Sequence, residues 1–201
     1  MRKEANILFV GVGGQGTISA SNLLSAALIE LGYDVKMSEV HGMAQRGGSV
    51  STQVRYGEKV YSPLIEKGTA DYIMSFEKSE SLRWIGFLKE EGKVISSLHE
   101  IRPYLVNVGK EVYPENSLSE LKEKGIDVIS LDAQGKAIAL GNGKAANMIL
   151  LGILAKELGL SQELLERLIK QYFKPQLQEV NLKALNEGYL YDETHSVSLT
   201  L

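Results

Sequence analysis

Cysteine is absent from all 201 residues. That excludes disulfides, Cys-ligated zinc, cysteine-held iron–sulfur clusters and thiol nucleophiles. Histidine is scarce. His41, His99 and His195 stand far apart in the chain, so no soft-metal site is expected from this chain alone. Long apolar runs are missing too: the longest, Met148–Ala155, has eight residues, against the ~20 of a membrane span. Strong charge of one sign is also lacking. Twenty-two basic residues against 25 acidic give −3, which leaves no electrostatic footprint for nucleic acid. Arg2-Lys3 ahead of Ile7-Leu8-Phe9-Val10 imitates a secretory signal, but Glu4 interrupts the basic stretch and the run enters a glycine turn. The expectation is a first β-strand in a cytoplasmic protein with no membrane partner.

What is present fits one globular domain: 44% apolar and 23% charged residues. Ala5–Val10 reads as a buried strand. Gly11-Val12-Gly13-Gly14-Gln15-Gly16 follows, then a helical spacing from Thr17 to Leu31 that Gly32 ends. Asp34–Val40 is a second strand, so the first two strands are expected to be parallel, joined by a right-handed crossover. Ser49–Tyr56 alternates like a strand with one wetter face. Gly57-Glu58 reads as a turn, with Lys59–Ser62 as hairpin partner. A strand at Tyr72–Phe76, a helix over Ser79–Leu88 and a strand at Lys93–Ser97 repeat the alternation.

Ile101–Pro114 reads as a β-rich piece between prolines. Leu118–Lys124 is a short helix, Ile126–Leu131 a strand, and Asp132 can cap a helix over Ala133–Leu140. From Gly143 the chain reads as helix: Lys144–Leu158 ended by Gly159, one started at Ser161, and Gln176–Glu187 stopped by Gly188. The expectation is a three-layer, Rossmann-like α/β domain. Its sheet is mixed and mainly parallel. Its divisions are a core over residues 1–142, a helical part over 143–188 and a tail over 189–201.

Two stretches carry candidate chemistry. Gly11-x-Gly13-x-x-Gly16 lies between a strand and a helix, where such glycines let backbone N–H groups meet an anion. Glu39, about 20 residues further on, stands where a ribose-binding acid belongs. The same glycines also serve close strand–helix packing with nothing bound. The second stretch is Glu39-Val40-His41-Gly42-Met43-Ala44-Gln45-Arg46-Gly47-Gly48-Ser49. Arg46 beside Gly47-Gly48 suits a carboxylate or phosphate, and His41 is a candidate proton carrier; the alternative is a solvated surface loop. Gly141-Asn142-Gly143-Lys144-Ala145-Ala146-Asn147 is not a phosphate loop. Ile138 stands where that motif needs Gly, and Ala145 where it needs Ser or Thr. Asn147 reads as a structural hydrogen bonder. There is no Gly-x-Ser-x-Gly elbow.

Ile7–Gly16 together with Ser38–Val50 resembles the gamma subunit or domain of 2-oxoacid:ferredoxin oxidoreductases, most closely the indolepyruvate:ferredoxin oxidoreductase beta subunits. The Gly143–Gly152 segment, with Asn147 and Leu151-Gly152, also fits. The likeness covers most of residues 5–188. It implies a Rossmann-like chain without cofactors of its own. Thiamine diphosphate, Mg and [4Fe–4S] clusters would sit in a large alpha subunit, with ferredoxin as electron acceptor and aryl pyruvates as substrates giving acyl-CoA. This chain lacks the Gly-Asp-Gly…Asn-Asn thiamine–metal signature, in keeping with that division. No catalytic residue is then expected here apart from His41 as candidate. The binding set is Gly11, Gly13, Gly14, Gln15, Gly16, Glu39, Gln45, Arg46, Gly47 and Gly48, facing coenzyme A phosphate or the partner. The isolated chain would be inactive, with homodimerisation open to it. Two other readings are a free-standing NAD(P)-dependent oxidoreductase using Gly11, Gly13, Gly16 and Glu39, and a scaffold that binds nothing.

Overall fold

The computed structural model describes residues 1–41 and 48–192, with only the backbone of His41. Six strands form one sheet in the order β2-β3-β1-β4-β5-β6. They are β1 (Ala5–Val12), β2 (Asp34–His41), β3 (Ser49–Gly57), β4 (Ala70–Ser75), β5 (Leu88–Ser97) and β6 (Asp127–Leu131). β1, β4, β5 and β6 pair in parallel, whereas β3 is antiparallel to both β1 and β2. The sheet is therefore mixed and mainly parallel, as expected. Ile7, Leu8, Phe9 and Val10 of β1 are fully buried, because an inner strand of such a sheet is covered on both faces.

Helices complete the two outer layers. On one face, α1 (Thr17–Glu30), α5 (Ala133–Ala139), α6 (Ala146–Leu158), α7 (Gln162–Tyr172) and α8 (Pro175–Tyr189) share a core with Phe9, Val54, Met74 and Ile95. On the other face, α2 (Lys78–Trp84) and α4 (Ser117–Glu123) cover Leu8, Val10, Ile73 and Val94. Every residue of α6 from Asn147 to Ala155 is buried, which is why its sequence is apolar all round. Asp132 caps α5 through Gly135 N at 2.8 Å, and Ser161 caps α7 through Leu164 N at 3.2 Å. Gly159 ends α6 at φ 72°.

Several expectations are corrected. β1 and β2 run the same way but are not neighbours, since β3 lies between them. Lys59–Ser62 forms no return strand: both edges of β3 are already occupied, by β1 and β2. Ile101–Pro114 is not β-rich and contains the short helix α3 (Tyr104–Asn107) among turns. The helix after β4 is shorter than expected: α2 passes into a 3₁₀ turn at Ile85–Phe87, and β5 begins at Leu88. Another 3₁₀ turn, Gly143–Ala145, precedes α6. Gly188 does not stop the last helix but lies inside α8, where a Cβ would come within 1.8 Å of Ile149 O. Gly152 is its counterpart on α6: a Cβ there would lie 2.3 Å from Leu185 O. The glycine pair lets two backbones touch. Tyr189, expected in the tail, closes α8 and donates to Leu160 O at 2.9 Å, and Tyr191 OH donates to Ser130 O at 3.2 Å.

Candidate functional site at the carboxyl ends of the strands

The glycine loop joins β1 to α1, and each of its residues has a distinct physical task. Gly14 (φ 105°) and Gly16 (φ 82°) take left-handed backbone angles that side chains disfavour. Gln15 folds back under the loop. Its Oε1 accepts from Val12 N at 2.8 Å, and its Nε2 donates to Phe76 O at 2.9 Å. Gly11 makes room for that amide, since a Cβ would lie 2.8 Å from Gln15 Oε1. Gly13 N donates to Gly48 O at 3.0 Å, which ties the loop to the start of β3. Gly16 O accepts from Asn147 Nδ2 at 3.1 Å, so Asn147 is indeed a structural hydrogen bonder.

Three amides of the Gly11–Gly16 stretch, those of Val12, Gly13 and Gln15, are therefore occupied, because Gln15 N also bonds Val12 O. What faces outward is the N-terminus of α1. Gly16 is its cap residue, and no side chain caps the helix. Such an end carries partial positive charge and orphan N–H groups, and is suited to an anion.

A cleft of about 430 Å³ opens beside this end. Gly13, Gly14 and Gln15 line it together with Phe76, Ser97, His99 and Asn142 to Lys144. It lies beyond the carboxyl ends of β1, β4 and β5, the usual ligand position in α/β sheets. Lys144 is exposed, with no carboxylate partner among the described residues. Asn142 Oδ1 shapes its turn by accepting from Lys144 N at 3.0 Å. Sequence reasoning missed His99 and Lys144. The signal for Lys144 is a Gly-Asn-Gly-Lys turn leading into the apolar helix α6, which departs from the phosphate-loop template.

Two buried carboxylates support the cleft from behind. Glu77 is fully buried and accepts from Ser79 N (2.8 Å), Ser79 Oγ (2.6 Å), Glu80 N (3.0 Å), Ile101 N (3.3 Å) and Tyr113 OH. It thereby fixes the segment that carries His99, whose carbonyl also accepts from Lys78 N at 3.0 Å. Burial, then the bond to Glu77, holds the Tyr113 phenol well above the ordinary tyrosine range. Glu80 accepts from Ser49 Oγ, Arg83 Nε (2.8 Å) and Trp84 Nε1 (3.3 Å). It anchors the first residue of β3.

The other stretch is only partly brought to this site. Glu39 pairs in register with Thr52, which pairs with Phe9 of β1. At about 4.8 Å per strand step, Glu39 lies roughly 10 Å to the side of β1. His41 pairs with Val50, level with Gly11. Gly48 meets Gly13 directly. Gln45, Arg46 and Gly47 lie outside the described residues, as does the side chain of His41. Among the described residues no group of three or more His, Asp or Glu could hold a metal ion. No helix among them is long and apolar enough to cross a membrane.

A family model described as pyruvate ferredoxin/flavodoxin oxidoreductase matches residues 6–191. The chain belongs to this family. Among curated relatives, indolepyruvate oxidoreductase subunit IorB of Pyrococcus horikoshii is 42% identical over 92% of this chain and 95% of its own. The pyruvate/ketoisovalerate oxidoreductases common subunit gamma of Thermococcus kodakarensis is 29% identical over 91% of this chain and 94% of its own. A 2-oxoglutarate:ferredoxin oxidoreductase from Magnetococcus marinus, solved with 2-oxoglutarate, coenzyme A and succinyl-CoA bound, shares the fold. Its TM-score is 0.73 at 20% identity, covering 94% of this chain and 31% of that one. The α/β architecture expected from sequence is thus the family's own.

Proposed function

We propose that this chain is a subunit of a ferredoxin-dependent oxidoreductase that decarboxylates indolepyruvate or a related aryl pyruvate to the acyl-CoA. The observation that carries this reading is the 42% identity to an indolepyruvate oxidoreductase subunit over nearly the full length of both chains. Thiamine diphosphate, Mg and the [4Fe–4S] clusters are assigned to a large partner subunit. This chain has no cysteine to hold a cluster. Its own role is to pack against that partner and to border the coenzyme A path. A phosphate of coenzyme A would meet the N-terminus of α1 and Lys144, with Arg46 added on the sequence alone. His41 stays a candidate proton carrier on the same basis, and the chain's place is the cytoplasm.

A groove of about 800 Å³ between α1, β2 and α7 supports a subunit role. Ile29 and Tyr172 line it and are 60% and 63% exposed, a pattern typical of surfaces that become covered. The reading as a free-standing NAD(P) enzyme has less support, because β3 separates Glu39 from the glycine loop. In dinucleotide-binding sheets the acid-bearing strand is the loop strand's neighbour.

Co-expression with a thiamine- and cluster-bearing subunit should yield a stable complex active on indolepyruvate. In that complex Lys144→Ala should raise the KM for coenzyme A about fivefold or more, with the KM for the oxoacid unchanged. An unchanged coenzyme A KM would remove the phosphate assignment, and failure to co-purify would remove the subunit assignment.

A further inference from the structure

The two edges of the sheet are finished differently. Among the described residues β6 pairs only with β5, and β2 only with β3. β6 is five residues long. Leu98 N bonds Leu131 O at 2.9 Å, so Leu131 faces inward and Ser130 outward. The Tyr191 hydroxyl covers that outward carbonyl, donating to Ser130 O at 3.2 Å. β2 is longer and more regular. It has eight residues, keeps one register with β3 from Asp34 to His41 and contains no proline. Its one lysine, Lys36, is paired with Asp34. Long regular edges are what natural sheets shorten, bulge or cover.

The ladder shows which groups β2 turns outward. Gly13 N bonds Gly48 O, so the even-numbered residues of β3 turn their N–H and C=O groups to β1. The odd-numbered ones turn theirs to β2, where they meet Asp34, Lys36, Ser38 and Val40. The main-chain groups of Val35 and Met37 therefore point away from β3, to the open edge. The side chains of both line the groove that Ile29 and Tyr172 border, largely exposed. A hydrogen-bonding edge and an apolar face thus lie side by side.

We propose that two copies of this chain join along β2, antiparallel about a twofold axis through Met37, so that one sheet runs through both. Met37 then exchanges main-chain hydrogen bonds with the second copy's Met37. Such an axis stands perpendicular to the sheet, so α1 and α7 of both copies flank the junction on the same face. An axis through Lys36 or Glu39 would instead oppose like charges, which is destabilising. The eight-residue edge is about 27 Å long, and sheet plus one helix layer is about 20 Å deep. That gives on the order of 500 Å² per copy and 1,000 Å² in all, the threshold for a specific interface. A second copy meets that threshold as a reversible dimer. The groove that supports a subunit role is then covered by the chain's own twin, independently of the coenzyme A reading.

Sedimentation equilibrium of the full chain should show reversible monomer–dimer exchange in the micromolar range. Because the chain has no cysteine, one introduced thiol reports on one position. Hydrogen-bonded residues across an antiparallel ladder have Cα atoms about 5.5 Å apart, within disulfide reach. Met37→Cys should therefore cross-link to its own copy under mild oxidation about tenfold faster than Val35→Cys, whose two thiols the same axis holds about 14 Å apart along the strands. A chain that stays monomeric up to millimolar concentration overturns the proposal, with no variant needed. A dimer in which Met37→Cys is not the faster to cross-link joins by another surface, and that result overturns it too. The coenzyme A reading falls on a different result, an unchanged coenzyme A KM in the Lys144→Ala complex.

Discussion

At the scale of single residues, the glycine loop shows that identical residues serve unlike ends. Gly11 makes room for an amide, Gly14 takes a turn angle, and Gly16 does both beside Asn147. Gly16→Ala should therefore cost about 1–3 kcal/mol in denaturant unfolding, from the left-handed backbone and the displaced Asn147 together. Gly14→Ala, with the same backbone strain but open space around it, should cost less. Tyr113 gives a prediction in pH. Its folded pKa is raised, so the unfolded chain loses the phenolic proton first, near pH 10. Its contribution is complete below that value and falls as pH rises further. Tyr113→Phe should lose about 1–3 kcal/mol at pH 8, because Glu77 loses a buried donor. The gap to wild type should narrow above pH 10 in pH-resolved denaturation curves. The glycines were legible in the sequence as a loop, but their separate tasks were not. Those depend on what Gln15, Phe76 and Asn147 do across distances of up to 131 positions.

At the scale of elements, local signals carried far and neighbour relations did not. β1, α1, β4, β6 and the caps Asp132 and Ser161 follow from periodicity and turn chemistry over a few residues. The insertion of β3 between β1 and β2 could not be read this way. Alternation tells which face of a strand is buried but not which strand lies beside it. Gly188 misled for a related reason. Glycine near the end of a helical pattern commonly marks a stop, and only the partner helix reveals a close crossing instead. That crossing makes a sharp prediction. Gly188→Ala places a methyl group against the backbone of α6, which cannot swing aside as a side chain can. The loss should reach about 3 kcal/mol, the upper part of the overpacking range. Gly109→Ala, at a positive-φ glycine with open space around it, should fall well short of that in the same thermal-melt series.

At the scale of the whole molecule, the absent cysteine was the clearest signal, since it excludes cluster ligation before any fold is known. The site was less legible. The loop was found, Lys144 and His99 were not, and the cleft exists only where three strand ends and the α6 turn converge. A cofactor titration separates the readings at this scale. The isolated chain should show no micromolar NADH binding by fluorescence, and saturable binding would restore the dehydrogenase alternative. Gln15 has a last consequence. Its side chain satisfies Val12 N and Phe76 O before any guest arrives, so the loop is its own template. Binding on such a preorganised surface forfeits little ordering entropy, and the affinity of whatever docks there can reflect its contacts almost undiminished.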